Sequence, residues 1–232
     1  MLLCAAFMLA RQICSLTVRA ELLAAALRHV PACGWAGGSA AAAAAAELGL
    51  SPAAAGMLGS DSEFVQLFVA DCNRRLEAEL ADMQAELARL DVRERLQRGL
   101  RLRLGMLEPH IASWPQALSL LAAPAAAPRT LQLYAELADV VWHAAGDTSA
   151  DLSWYTKRAL LTGVFSATEL YMLTDASPGF ADTWAALDRR LEDALRLGAA
   201  AEEAGSLAGA AEGMASLLTA RLGSVFRRPP PL

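Results

Sequence analysis

The residues best placed for polar chemistry in an apolar setting lie in AGDTSADLSWYTKRALLTGVFSATELYMLTDASPGFADTW, residues 145–184. Read as a helix from Asp151 at about 100° per residue, Trp154, Arg158, Leu161, Phe165, Thr168 and Met172 fall on one stripe. Their alternating spacing of four and three is that of a buried seam. A guanidinium among apolar neighbours must find a partner or stay wet. Two kinds of partner fit. One is an acid, Asp139, Asp147 or Asp151, in a structural ion pair. The other is the polar head of a lipid at the mouth of an apolar cavity, because the guanidinium fork suits phosphate or carbonyl oxygens. Leu161, Phe165 and Met172 would then line the tail. The residues alone leave the two readings level.

Trp154 and Tyr155 stand side by side near the start of the same helix. Adjacent helical residues point about 100° apart, so the two do not share one environment. Tyr155 is expected to be the more exposed, as core or as an anchor for a partner.

Other residue groupings exclude more than they suggest. Asp139 and His143 lie four apart, and Glu108 and His110 two apart. A carboxylate-bridged metal bundle needs Glu and paired Glu-x-x-His motifs, and none occurs. The four cysteines, Cys4, Cys14, Cys33 and Cys72, show no CxxC spacing, so neither a zinc site nor a disulfide framework is expected. There is no Gly-rich phosphate loop and no Gly-x-Ser-x-Gly elbow. The expectation is a non-enzyme with no catalytic residues, no metal and no cofactor.

These residues need helices to position them. The 232 residues are 55% hydrophobic, enough for one ordinary core. Alanine is abundant and β-branched residues are scarce, which favours helix. An all-α chain is expected. Residues 19–30 read as a first helix ended by Pro31 and Gly34, and residues 39–48 as a second, stopped by Gly49. Ser51 caps a short third helix with Pro52 at its first position. Residues 64–89 and 92–107 read as longer helices. Residues 122–129 are a Pro/Ala connection, residues 131–144 are helical, and Gly146 breaks that helix. Thr148 and Asp151 resemble a capping box for the next one, which runs to about residue 173. DASPG at 175–179 is a turn, residues 180–197 are amphipathic, and residues 198–205 read as a linker. A last helix spans about 205–226.

Residues 19–70 resemble the N-terminal domain of TetR-type regulators: an apolar helix, Gly-Trp, a small-residue helix, Leu-Gly-Leu-Ser and a short helix. In that family the third helix reads DNA. Here it is SPAAAGML, with no Arg, Lys, Asn or Gln to reach a base edge. Residues 32–73 contain no Lys or Arg at all, so nothing there neutralises phosphates. The net charge of −5 points the same way. No nucleic-acid partner is expected. Residues 74–103 hold eight arginines and six acids; mixed signs at helical spacing describe a solvated face.

Residues 1–18 carry Arg11 and no acid, and read equally as a short organelle presequence or as a frayed lead-in. The run at 2–10 is shorter than the roughly 20 residues of a membrane span. In the last helix Leu207, Met214, Leu218, Leu222 and Val225 share a face, with Arg227 and Arg228 beyond them. That pattern suits a membrane interface better than docking on the bundle itself.

LADVVWHAAGDTSADLSWYTKRALLTGVFSATELYMLTDASPGFADTW resembles the signature of the Coq-nine family of ubiquinone (coenzyme Q) biosynthesis accessory proteins. The elements that carry it are Trp142, Ala145-Gly146-Asp147, Ser149, Asp151, Trp154 to Arg158, Thr168-Glu169-Leu170, Asp175, Ser177 and Asp182-Thr183-Trp184. LEPHIASWPQALSLLA at 107–122 and HVPACGW at 29–35 fit the same family, so the likeness covers about residues 19–226. It implies a TetR-like bundle that binds lipid in place of DNA, either an isoprenoid quinone or a phospholipid. It implies a mitochondrial protein, peripheral on the matrix side of the inner membrane, that presents the demethoxy-quinone intermediate to a di-iron demethoxyubiquinone hydroxylase. Arg158 would then meet the lipid head rather than an acid, Trp154, Tyr155 and Trp184 would meet the hydroxylase, and the last helix would seek the membrane. A homodimer through the late helices fits the family too. The N-terminus is short for a transit peptide. The expected organisation is a lead-in at 1–18, a helix–turn–helix-like part at 19–73, a lipid-binding bundle at 74–197 and a membrane helix at 205–226.

Overall fold

A computed structural model describes residues 2–147 and 152–204, with side chains described for 17–147 and 154–200. Among the described residues there are only helices, so the expected all-α class is found. They are α1 (Leu2–Cys33), α2 (Ser39–Glu47), α3 (Asp61–Asp82), α4 (Gln84–Leu87), α5 (Val92–Gly105), α6 (Trp114–Leu121), α7 (Ala127–Ala144), α8 (Leu152–Met172) and α9 (Ala181–Ala204). Short 3-10 segments lie at Pro52–Leu58, Glu108–His110 and Pro178–Phe180. No helix among the described residues is long and apolar enough to cross a membrane.

The chain forms two units. The first is Met1–Cys72 with Leu107–Leu133, and the second is Asn73–Met106 with Tyr134–Leu232. The first unit therefore takes in 107–133 as well as the helix–turn–helix-like segment. Trp35 shows why. It is 1% exposed, and its ring meets Phe64, Phe68 and Trp114 at 5.3–5.6 Å between centroids. Its backbone N–H donates to Gln116 Oε1 at 2.8 Å, and its Nε1 donates to Ser113 Oγ at 3.1 Å. A tryptophan in a Gly-Trp-Ala-Gly-Gly turn has no local core to enter, so the segment from α6 supplies one.

Several element ends differ from expectation for local reasons. α1 starts at Leu2, so residues 2–18 continue the first helix, and it runs past Pro31 to Cys33. Gly34, at φ +73, ends it. The segment after Ser51 is 3-10 rather than α, and the Ser51 side chain makes no capping bond. The expected helix at 64–89 breaks at Met83 into α3 and α4. α5 starts on a complete capping box, Asp91 with Glu94. The expected linker after residue 198 is helical through Ala204. The capping pair Thr148–Asp151 and the helix at 205–226, with Leu207, Met214, Leu218, Leu222 and Val225, lie outside the described residues.

In the second unit α8 packs along α9, and α5 also meets α9. Leu161, Phe165 and Met172 of α8 and Leu187 and Leu191 of α9 are each no more than 2% exposed. Burial of five such side chains is worth ~1.5–3 kcal/mol each, which anchors the two helices that carry the site.

Candidate functional site

The site is built at the corner between α7 and α8. Gly146, at φ +90, takes a left-handed conformation that turns the chain out of α7. The next residue, Asp147, donates its backbone N–H to Trp142 O at 3.0 Å and is thereby brought back against the helix. Its carboxylate then faces α8. Lys157 Nζ donates to Asp147 Oδ1 at 3.0 Å, and Arg158 Nη1 donates to Asp147 Oδ2 at 3.1 Å. Arg158 Nε donates to Asp139 Oδ1 at 2.7 Å, and Nη2 lies 2.7 Å from the same oxygen. Nη1 also reaches Trp154 O at 3.3 Å.

Arg158 is thus buried in the seam, as its spacing demands, and its partners are acids. These contacts are those of the ion-pair alternative. Asp139 and Asp147 occupy the guanidinium through Nε, Nη1 and Nη2, which leaves little of its fork for a ligand oxygen. The sequence named both acids as the alternative partners.

What Arg158 positions is the aromatic pair. Its guanidinium carbon sits 4.0 Å from the centre of the Trp154 ring, a stacked cation–π contact. Trp154 in turn meets Tyr155 edge-on at 4.8 Å. Tyr155 is 65% exposed, so the expected order of exposure within the pair is found. The result is a phenol held out to solvent on a base that ion pairs fix.

A second feature includes Lys157. Trp142, Lys157, Leu160 and Leu161 join Leu191, Ala194 and Leu195 of α9 around an apolar pocket of about 250 Å³. Trp142 donates its Nε1 to Lys157 O at 3.0 Å, and Lys157 Nζ lies 5.7 Å from the centre of its ring. Of the expected tail-lining residues only Leu161 reaches this pocket. Phe165 packs instead on Tyr134 at 5.5 Å, edge to face, and Met172 is buried further along α8. Trp184 donates its Nε1 to Gly179 O at 2.8 Å, and Arg101 lies 5.0 Å over its ring.

A buried polar cluster in the second unit was not anticipated. Arg103 is 0% exposed. Its Nε donates to Asn73 Oδ1 at 3.2 Å, its guanidinium lies 5.5 Å from the Phe165 ring centre, and its Nη1 has no hydrogen-bond partner. Tyr134 donates its hydroxyl to Glu169 Oε2 at 2.8 Å. Burial first, then the Glu169 charge, pushes the Tyr134 phenol well above its ordinary range. Below α8, Asp175 caps α9 by accepting from Thr183 N at 2.8 Å and Ser177 N at 2.7 Å. Hydrogen bonds from Ser177 and Thr183 hold its carboxyl down at about 2.

Comparison with known proteins covers these same elements. The COQ9 family model matches residues 127–198, which span α7, α8 and most of α9. The rat protein named ubiquinone biosynthesis protein COQ9, mitochondrial (Rattus norvegicus), is 44% identical over 192 residues, 80% of this chain and 61% of that protein. The human protein of the same name (Homo sapiens) is 43% identical over 189 residues, 79% of this chain and 59% of that protein. A probable ubiquinone biosynthesis protein coq9, mitochondrial, from Dictyostelium discoideum is 35% identical over 185 residues, 77% of this chain and 60% of that one. The chain therefore spans about three-fifths of the length of the curated relatives it matches. With the family's domain laid over the helices that hold the aromatic pair and the apolar pocket, and with the identity sustained well beyond that domain, this chain belongs to the COQ9 family.

Proposed function

We propose that the chain acts in ubiquinone biosynthesis as a lipid-binding accessory protein rather than as a catalyst. It takes an isoprenoid quinone intermediate from the mitochondrial inner membrane, on the matrix side, and presents it to the demethoxyubiquinone hydroxylase. The observation that carries this reading is the apolar pocket between α8 and α9, lined by Lys157, two residues along α8 from the exposed Tyr155. A cavity of about 250 Å³ takes a ring or a short length of isoprenoid tail rather than a whole lipid. Its walls are hydrocarbon and indole, with the Lys157 side chain as the single charged group. Trp154 and Tyr155, locked from behind by Arg158, form the surface offered to the hydroxylase. The pocket reaches Gly198 and Ala199, from which the chain continues to the apolar face of residues 207–225, the proposed membrane segment.

The test is quenching of tryptophan fluorescence by a short-chain quinone. Trp142 lines the pocket, and quinones quench indole at contact. Saturable quenching that Trp142→Phe removes, and that Ala194→Phe weakens by filling the pocket, supports the site. Quenching identical in the parent and both variants places the quinone elsewhere and defeats the reading.

A further inference from the structure

The eight arginines of residues 74–103 are not one solvated face. Arg103 is buried. Arg95 gives Nε, Nη1 and Nη2 to the carbonyls of Leu90, Ala145 and Ala88, and so ties down chain ends. Arg98 and Arg101 do neither. Three apart on α5, they share a face, and neither has a hydrogen bond or ion pair among the described residues. Both line one open groove of about 750 Å³ in the second unit, together with Leu102, Met106 and Trp184.

The groove has a fixed side and a free side. Trp184 is the fixed side. Its Nε1 is spent on Gly179 O, within a turn where Gly179 and Phe180 both hold left-handed backbone, at φ +62 and φ +58. A phenylalanine in that region is uncommon and strained. The indole is therefore held with its face under Arg101, at 5.0 Å, and is half-buried. The guanidinium of Arg101 is oriented by that stack, and Arg98 is exposed beside it. One oriented fork, Arg101, and a second exposed one, Arg98, carry donors that match the oxygens of a phosphate.

We infer that this groove takes the phosphate of an anionic phospholipid at a membrane surface, as a contact point separate from the terminal segment. A lipid source fits better than a free phosphate. The groove runs the length of α5, from Leu90 and Glu94 to Gly105 and Met106, and at its N-terminal end the Glu94 N–H is already taken by the Asp91 cap. Leu102 and Met106 give apolar walls that a small inorganic anion does not use. Glu79 and Glu94 also line the groove, so its two arginines are matched by two acids, and a compact polyanion such as a nucleotide is repelled. A tryptophan beside arginines is the pairing found at headgroup depth. Two arginines near an anionic surface gain roughly fivefold each in partition before screening, which is weak for one ligand and useful on a surface of many. This inference does not rest on the pocket between α8 and α9.

The experiment is co-sedimentation of the full chain with vesicles of phosphatidylcholine alone and with vesicles that also contain phosphatidylglycerol. Arg98→Gln with Arg101→Gln is compared with the parent, with Arg98→Gln alone, and with Arg28→Gln plus Arg129→Gln, which makes the same charge change in the first unit. All are exposed positions, and matched thermal unfolding confirms the fold. The gain on adding phosphatidylglycerol is expected to fall about tenfold in the groove pair, as is its salt sensitivity. It is expected to fall partway in Arg98→Gln and to persist in the first-unit pair, with binding to phosphatidylcholine alone equal throughout. Inorganic phosphate at millimolar level is expected not to compete. A full gain in the groove pair, an equal loss in the first-unit pair, or displacement by inorganic phosphate overturns the inference.

Discussion

Arg158 and Asp147 meet at 3.1 Å with side chains only 8% and 7% exposed, so the charge in the α8 seam is answered by a charge from the α7–α8 corner. Asp139 completes the pairing from α7 at 2.7 Å, with a side chain 53% exposed. The arrangement places the arginine's work in orientation: it stacks on Trp154 and leaves Tyr155 outside.

Arg158→Ala is expected to destabilise the fold by ~3 kcal/mol, because it removes one of the two cations that answer the buried Asp147 carboxylate and leaves Lys157 alone there. Asp139→Asn is expected to cost well under half of that, because Asp139 is half in water and its charge is screened there. Urea denaturation of both variants checks the order. An Arg158→Ala protein as stable as the parent would show that the pair is not structural.

Tyr155→Ala removes an exposed side chain and is expected to change stability by no more than ~0.5 kcal/mol. On the proposed partner surface it removes an aromatic anchor, worth about thirtyfold or more in affinity. Capture of the purified hydroxylase on the immobilised chain reads this out. Undiminished capture with Tyr155→Ala removes the aromatic pair from the interface.

The Asp175 cap has a defined pH signature. Its carboxyl is held at about 2, below the unfolded value near 4 (~3.9). The folded state therefore gains from the charged form above pH ~4, and loses that gain as pH falls from ~4 toward 2. Asp175→Asn should lower the urea midpoint at neutral pH, and the gap from the parent should narrow over that acid window. A gap that stays constant with pH excludes the ionised cap.

Arg103→Met exchanges a buried guanidinium with an unpartnered Nη1 for an apolar chain of similar length. Such exchanges are neutral or stabilising, so a change within about 1 kcal/mol, or a gain, is expected by thermal or urea unfolding. A loss of ~3 kcal/mol would mean that Arg103 answers a buried charge as Arg158 does.

The seam was legible because its period is geometric: Arg158, Leu161, Phe165, Thr168 and Met172 are all buried where the four-three spacing puts them. The same spacing runs through Leu96, Leu100 and Arg103, all 0% exposed, and was hidden there by the surrounding charges of residues 74–103. Arg158's choice between acid and lipid could not be read from period. It depends on where Gly146 sends Asp147, which is a matter of backbone path. Trp35 shows the same limit: its place between Gly34 and Ala36-Gly37-Gly38 marks a turn, but the segment that covers it comes from residues 113–116, far along the chain. The apolar pocket was half legible, since Leu161 was named while its α9 wall was read only as part of an amphipathic segment at 180–197.

The most direct test of the lipid-carrier account is to extract the purified full chain with organic solvent and identify what it releases by mass spectrometry, beside Ala194→Phe. An isoprenoid quinone or a phospholipid recovered from the parent, and several-fold less from a variant of equal thermal stability, is the expected result. No lipid from the parent, or equal lipid from both, contradicts a lipid site between α8 and α9.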